Sequence, residues 1–182
     1  MKPVYATLRS KGYLIVGYID DILLLAKTPH ELAQVVAETV ALLQSLGFTI
    51  HESKCVTTPT QVVKFLGFFL NSKDMIISMI PEKAAIIKSK CNNLAQLDGP
   101  TPIRDVSSVV GLMVSAFEGV QYVPLFYRSL ENDKTYALKN NGWHLVGTMT
   151  LSPLAKQDLS WWITNVGQLP KAIMPLRFNS HD

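Results

Sequence analysis

Apolar positions near the start of the chain fall into two short blocks. Leu14 to Ile19 and Ile22 to Ala26 flank the pair Asp20-Asp21. Val16, Ile19, Ile22, Leu23, Leu24 and Leu25 suit buried strands, and an almost continuous apolar run predicts a strand covered on both faces of its sheet. A two-residue connection between such runs predicts a tight β-hairpin with the aspartates at its turn. The next block has helical period. Thr28 is placed as an N-cap, Pro29 as the first helical residue and Glu31 as the closing member of a capping box. Leu32, Val35, Val36, Val40, Leu43 and Leu46 recur on one face, and Gly47 stops the helix, which gives bounds near Pro29 and Leu46. Beyond it the pattern predicts a short strand at Phe48 to His51, a turn around Pro59, a longer strand from Val62 to Leu70, a polar turn from Asn71 to Asp74 and a strand from Met75 to Met79.

After Pro81 the period becomes helical throughout. Ile86, Ile87, Cys91, Leu94 and Leu97 form one apolar stripe, which Asp98-Gly99-Pro100 ends. Thr101-Pro102 is placed to cap a second helix, with Ile103, Val106, Val109, Val110, Met113 and Phe117 inward. A third helix is expected from near Pro124 to Leu138, then a turn at Asn140-Asn141-Gly142. Ser152-Pro153 opens a fourth helix toward Val166, with Leu154, Leu159 and Trp162 inward. Residues 167–182 read as a linker or the beginning of a further segment. The pattern predicts an α+β fold, mixed up to about Ile80 and all-helical after it.

Composition agrees with a folded chain. Of 182 residues, 48% are hydrophobic and 17% charged, which allows a core and excludes compositional disorder. A net charge of +3 permits a nucleic-acid partner without requiring one. Cys55 and Cys91 have no paired spacing, so reduced thiols are expected and a disulfide framework or zinc site is not. No signal peptide or membrane span is visible, and an intracellular protein, cytoplasmic or nuclear, is expected.

Candidate chemistry centres on Asp20 and Asp21. Two adjacent carboxylates at a hairpin tip repel each other, and a hard divalent cation such as Mg²⁺ relieves the repulsion with oxygen ligands. The other reading is a polar turn in which the aspartates face water. His30, His51, His144 and His181 have no ligand spacing and read as surface or satisfied polar residues.

Tyr18-Ile19-Asp20-Asp21, followed by Ile22-Leu23-Leu24-Leu25, resembles the catalytic hairpin of reverse transcriptases. Glu52-Ser53-Lys54-Cys55 resembles the family's next motif, in which a lysine follows a polar residue. Phe65-Leu66-Gly67-Phe68 resembles its primer grip, and the three stand in the family's order. Ile103-Arg104-Asp105-Val106 and Asp158-Leu159-Ser160-Trp161-Trp162 are similar to the thumb and connection of DIRS-like retrotransposons, which pair a reverse transcriptase with an RNase H and a tyrosine recombinase. The resemblance covers nearly all of the chain. It implies a partial palm over residues 1–80, a helical thumb over 81–139 and a connection over 140–182.

The resemblance implies two-metal phosphoryl transfer with Mg²⁺, or Mn²⁺ in its place, on RNA or DNA template–primer and deoxynucleoside triphosphate. Asp20 would be the firmer metal ligand and Asp21 the looser. Tyr18 would lie near the primer terminus or incoming nucleotide. Lys54 would neutralise or protonate the leaving pyrophosphate, or be a solvated surface lysine. Phe65, Leu66, Gly67 and Phe68 would place the primer end, or the phenylalanines would be ordinary core. Lys83, Lys88, Lys90 and Arg104 would meet backbone phosphates, or form a solvated helix face. The family's palm also has an aspartate on an earlier strand, a nucleotide-pocket segment and fingers. Only 17 residues precede Tyr18, and Lys2 to Gly12 resembles the stretch after the nucleotide pocket. The fingers, the rest of the palm and an RNase H segment are therefore expected from elsewhere. The isolated chain is expected not to polymerise DNA, to expose an apolar face of its sheet and to aggregate. The alternative is a non-catalytic remnant or nucleic-acid-binding module of the same descent.

Overall fold

Two helices cover one side of a two-stranded sheet in the first 66 residues. The structure, a computed structural model, describes residues 1–173, and it divides after Leu66 into two compact units. The first unit contains α1 (Lys2–Ser10), β1 (Leu14–Tyr18), β2 (Asp21–Leu25), α2 (Pro29–Ser45), a single 3₁₀ turn at Glu52–Lys54 and β3 (Val62–Phe65). Its core joins Val4 and Leu8 of α1, Ile15 of β1 and Leu43 of α2, with Tyr5, Ile22, Leu24 and Ile50 packed around them.

The cap foreseen at Thr28 is present in full. Its hydroxyl accepts from the Glu31 amide at 3.2 Å, and the Glu31 carboxylate accepts from the Thr28 amide at 3.2 Å. Two donors that the first turn would leave unpaired are thereby satisfied. We expect Thr28→Ala to cost about 1 kcal/mol, read as an earlier urea midpoint with an unchanged slope. An unchanged midpoint would show that water caps the helix equally well.

The first unit departs from the sequence pattern in three places. Residues 2–10 are helical, with Pro3 in the first turn and Val4 and Leu8 buried one turn apart. Residues 48–50 form no strand, because no described strand lies alongside to share a hydrogen-bond ladder. The hairpin is covered on one face only. Ile15 is buried while Leu14, Val16, Tyr18 and Leu25 stand 63%, 47%, 57% and 45% exposed. Runs that are apolar on both faces imply two covers, and within this unit α1 and α2 supply one.

The second unit begins with the antiparallel strands β4 (Phe68–Asn71) and β5 (Ile76–Met79), followed by α3 (Pro81–Ala95), β6 (Thr101–Pro102), α4 (Ile103–Val114), a 3₁₀ turn at Val123–Leu125, α5 (Arg128–Asn140), β7 (Thr148–Met149), α6 (Pro153–Asn165) and β8 (Lys171–Ala172). Phe68 and Met79 belong to the helical core, with Ile87, Val106, Met113, Leu130, Leu159 and Trp162. The change in sequence period near Ile80 therefore does not coincide with the limit of the compact unit: the β4–β5 ribbon packs as part of the helical body. Helices α3 and α6 lie along each other, and α5 contacts both α4 and α6.

Two carboxylates tie α5 to α6 reciprocally. Asp158 of α6 accepts from the Ser129 amide in the first turn of α5 at 3.0 Å, and Asp133 of α5 accepts from Ser152, the N-cap of α6, at 2.7 Å. Each acid thus satisfies a backbone donor at the other helix's N-terminal end, where the helix dipole also favours negative charge.

Several expectations change in this unit as well. The strand foreseen at 62–70 is broken at Leu66-Gly67. Thr101 and Pro102 do not cap α4 through a side chain; they pair with Met149 and Thr148. The third helix starts at Arg128, after the 3₁₀ turn. Ile86, Leu97 and Leu154 point outward, at 54%, 42% and 61% exposure, because the α3 and α6 stripes centre on Ile87/Cys91 and Leu159/Trp162. Within 167–173, Lys171 and Ala172 pair with Ile77 and Ile76 of β5. Residues 174–182, His181 included, lie outside the described residues. Among the described residues no helix is long and apolar enough to cross a membrane.

The two thiols are opposite in kind. Cys91 is fully enclosed, and burial pushes its pKa up to about 12, whereas Cys55 is exposed. A thiol that ionises so high carries almost no thiolate near neutral pH. We expect iodoacetamide at pH 8 to modify one thiol of the folded chain, Cys55, and the second only in denaturant. Rapid modification of both in native buffer would mean that the α3–α6 core opens freely.

Candidate catalytic hairpin

Antiparallel pairing fixes the placement of the tip residues. The ladder runs from Leu14 opposite Leu25 to Tyr18 opposite Asp21. The loop is therefore Ile19-Asp20, and Asp21 is the first residue of β2. This moves the turn one residue earlier than the sequence pattern suggests. Opposed residues share a sheet face, so Tyr18 and Asp21 stand together on the uncovered face, in line with Val16/Leu23 and Leu14/Leu25. Asp20 occupies the tip itself.

The shift in the turn has a conformational cost. Ile19 has φ of 52°, a left-handed conformation that a β-branched residue adopts only under constraint. Strain of that kind collects where a fold must aim a particular side chain. On the covered side, Gly17 is required for space. A Cβ at that position would fall within the ring of Tyr5, so α1 seats directly beneath the strand that carries Tyr18. The Tyr5 hydroxyl is enclosed there without a hydrogen-bond partner among the described residues. At the base of the hairpin, Lys11 bonds Glu38 of α2 at 2.8 Å. The lysine hydrogen bond, and then one from Tyr13, holds the Glu38 carboxyl below the ordinary carboxylate range. The pair lies on the surface and adds little to stability.

Asp20 and Asp21 are both exposed. The strands beside them, covered on one face only, do not shield them from water. Neither carboxylate makes a hydrogen bond or ion pair with a described residue, and among the described residues no three His, Cys, Asp or Glu side chains form a cation cage. The donors nevertheless suit Mg²⁺, which is commonly held by one or two carboxylates with water and substrate phosphates completing the shell. Lys54 ends the 3₁₀ turn, is exposed and pairs with neither aspartate within 4.0 Å.

The Phe65–Phe68 motif is a turn and not a strand interior. Leu66 and Gly67 have φ of 50° and 82°, the left-handed pair of a type I′ turn. Phe65 is half-buried at the end of β3, Leu66 is exposed and Phe68 is buried. Phe68 is thus core, one of the two readings of the sequence, while Leu66 at the turn is exposed and Gly67 half-buried.

The four cations separate. Lys83 turns inward: its ammonium donates to the Ser115 carbonyl at 2.9 Å and sits 4.2 Å from the centre of the Phe68 ring. Lys88, Lys90 and Arg104 are exposed. Lys88 and Lys90 lie about 200° apart around α3 and cannot share one face. Lys90 borders an open groove of about 290 Å³ between α3 and α4, with Asn93, Leu97, Asp105 and Ser108. Sequence reasoning missed the Ile19 strain and the Lys83–Phe68–Ser115 cluster. The strain left no sequence signal, since isoleucine gives no hint of a left-handed turn. The cluster needed 32 residues of separation to be closed.

Comparison with known proteins agrees with the motif resemblance. Residues 1–70 match the family model for reverse transcriptase (RNA-dependent DNA polymerase). No curated protein sequence matches the chain. Among solved structures, the foamy viral protease-reverse transcriptase dRH in complex with double-stranded DNA is similar at a TM-score of 0.60 and 18% identity, over 87% of this chain and 25% of that one. The foamy viral protease-reverse transcriptase in complex with RNA/DNA hybrid is similar at a TM-score of 0.61 and 17% identity, over 89% of this chain and 20% of that one. The chain therefore spans a fifth to a quarter of the polypeptides it resembles, and over that span it has the fold of a reverse transcriptase fragment, α+β as its sequence pattern predicts.

Proposed function

We propose that this chain is the palm-hairpin and thumb segment of an RNA-directed DNA polymerase from a retrotransposon of the DIRS-like kind, and that its tip carboxylates serve nucleotidyl transfer in the whole enzyme. One observation carries the reading: Tyr18 and Asp21 close a tight hairpin, with Asp20 at its tip, inside the stretch that matches the reverse transcriptase family. Residues 1–80 act as part of the palm, 81–139 as the thumb and 140–182 as the connection. The motifs Ile103-Arg104-Asp105-Val106 and Asp158-Leu159-Ser160-Trp161-Trp162 support the retrotransposon origin.

Asp20 and Asp21 hold divalent cations by their unpaired carboxylates, Asp20 the more tightly. When bound, such ions supply Lewis-acid charge to the phosphoryl oxygens. The chain's own residues do the rest. Tyr18, on the same face as Asp21, offers a ring against which a sugar or base packs. Lys54 carries a mobile ammonium that neutralises a leaving pyrophosphate or protonates it. The exposed Leu66-Gly67 turn offers a place for the primer end. Lys88, Lys90 and Arg104 offer charge to backbone phosphates. The nucleic acids in the two similar structures, double-stranded DNA and RNA/DNA hybrid, support a duplex as the ligand.

By itself the 182-residue chain binds duplex and adds no nucleotides, because two carboxylates on an open hairpin position a cation poorly and misplacement by about an ångström already costs about a hundredfold. The test is a primer-extension assay beside a binding titration. Duplex affinity should fall steeply with added salt, with no extension in Mg²⁺ or Mn²⁺. Template-directed extension abolished by Asp20→Asn would overturn the inactivity of the chain. Absence of duplex binding even at low salt would overturn the polymerase reading itself.

A further inference from the structure

We infer that Lys83 is a positioning residue, which sets the Gly67–Phe68 end of the exposed turn so that it receives a nucleic-acid 3′ end; the inference rests on the reading of that turn given above. Three contacts within the second unit converge on this side chain, and a backbone bond lies beside it. Its ammonium donates to the Ser115 carbonyl at 2.9 Å. The same nitrogen lies 4.2 Å from the Phe68 ring centre. Its stem leaves no more room at Gly67, where a Cβ would stand 3.0 Å from Lys83 Cδ. Beside it, the Ile80 amide donates to the Gly67 carbonyl at 3.2 Å.

The electrostatics indicate what fixes the side chain. Lys83 lies in the first turn of α3, where the helix dipole opposes a cation, and burial lowers its pKa. The α3 helix therefore does not favour this charge. Its partners do: Ser115 is the C-cap of α4, the end that attracts cations, and the Phe68 π face adds a second attraction. Phe68 is itself buried and packs closely on Gly119, where any Cβ would strike the ring. The lysine thus joins the start of α3, the end of α4 and the ring that follows the turn. A neutral side chain of equal length would fill the space and lose both attractions.

The experiment compares wild type, Lys83→Met and Lys83→Arg on two probes, a DNA duplex with a recessed, fluorescently tagged 3′ end and a blunt duplex of the same length. Circular dichroism checks folding, and amide exchange at Ile80 reads the turn. We expect wild type to favour the recessed end. Lys83→Met should weaken that binding by about tenfold, leave blunt-duplex binding unchanged and speed Ile80 exchange. Lys83→Arg should restore both. If Lys83→Met binds the recessed end as wild type does, or weakens both probes equally, the positioning role is overturned and the polymerase reading is untouched. If wild type does not prefer the recessed end, the primer contact of the turn and the role of Lys83 fall together, while equal binding of both duplexes leaves the polymerase reading standing.

Discussion

Asp20→Asn should reduce the affinity of the hairpin for Mn²⁺ by roughly 10- to 100-fold. The estimate follows from Coulomb's law: a unit charge about 4 Å from a carboxylate contributes about 1 kcal/mol in water and about 4 at an effective dielectric of 20. A doubly charged ion on an exposed tip falls toward the lower figure per unit of charge. The measurement is paramagnetic broadening of backbone amides. Mn²⁺ should broaden Tyr18 to Ile22 in the wild type, and Asp20→Asn should shift the titration to higher metal concentration. Asp21→Asn should act in the same direction but less strongly, if Asp20 is the firmer ligand. The fold should not change, because neither carboxylate is bonded to a described residue and both are exposed. Broadening of equal size at Asp74 or Asp98, unaffected by either variant, would mean that Mn²⁺ meets this protein only as a diffuse counter-ion.

Trp162→Ala should be the most destabilising single truncation in the second unit. Trp162 is fully enclosed and is the largest such side chain among the described residues. Its Nε1 donates to the Phe126 carbonyl at 2.8 Å, and its ring meets Trp161 edge-on at 5.8 Å. Trp161 in turn stacks on Phe126 at 4.2 Å. Truncation opens a cavity, which costs about 3–5 kcal/mol for a large aromatic, and strands the Phe126 carbonyl, which costs about 1–3 more unless water enters. Set against a typical total of about 5–15 kcal/mol, that loss should unfold much of the second unit at 37 °C. Chemical denaturation followed by the fluorescence of Trp161 and Trp143 would read it. Trp162→Phe, which keeps most of the volume, should recover more than half. A loss below about 1 kcal/mol would mean that α6 does not pack as described.

The α2 helix and its reciprocal cap were legible because every signal is local. Thr28, Pro29 and Glu31 lie within one turn, and the residues that bury the helix repeat at its own period. The hairpin was legible for the same reason, along with the family resemblance of its tip. The strand at 62–70 misled because apolar residues on either side of Leu66-Gly67 read equally well as one strand or as two with a turn between. Only backbone angles distinguish them. α1 was overlooked because two buried residues, Val4 and Leu8, make too short a stripe to stand out among polar neighbours.

What the sequence determined, then, is whatever depends on neighbours within a few positions: the caps, the helical stripes, the Asp20-Asp21 pair and its family context. Tertiary structure alone decided which sheet face is covered, which of two adjacent aspartates shares a face with Tyr18, and which of four lysines and arginines turns inward. The second depends on the register of the hairpin, and the other two on partners far along the chain. Ile15 is buried because α1 and Leu43 close over it, and Lys83 is held because Ser115 lies 32 residues away at the end of another helix. A charge or an apolar side chain has no preferred environment of its own in the sequence; its partner supplies one, and packing chooses the partner.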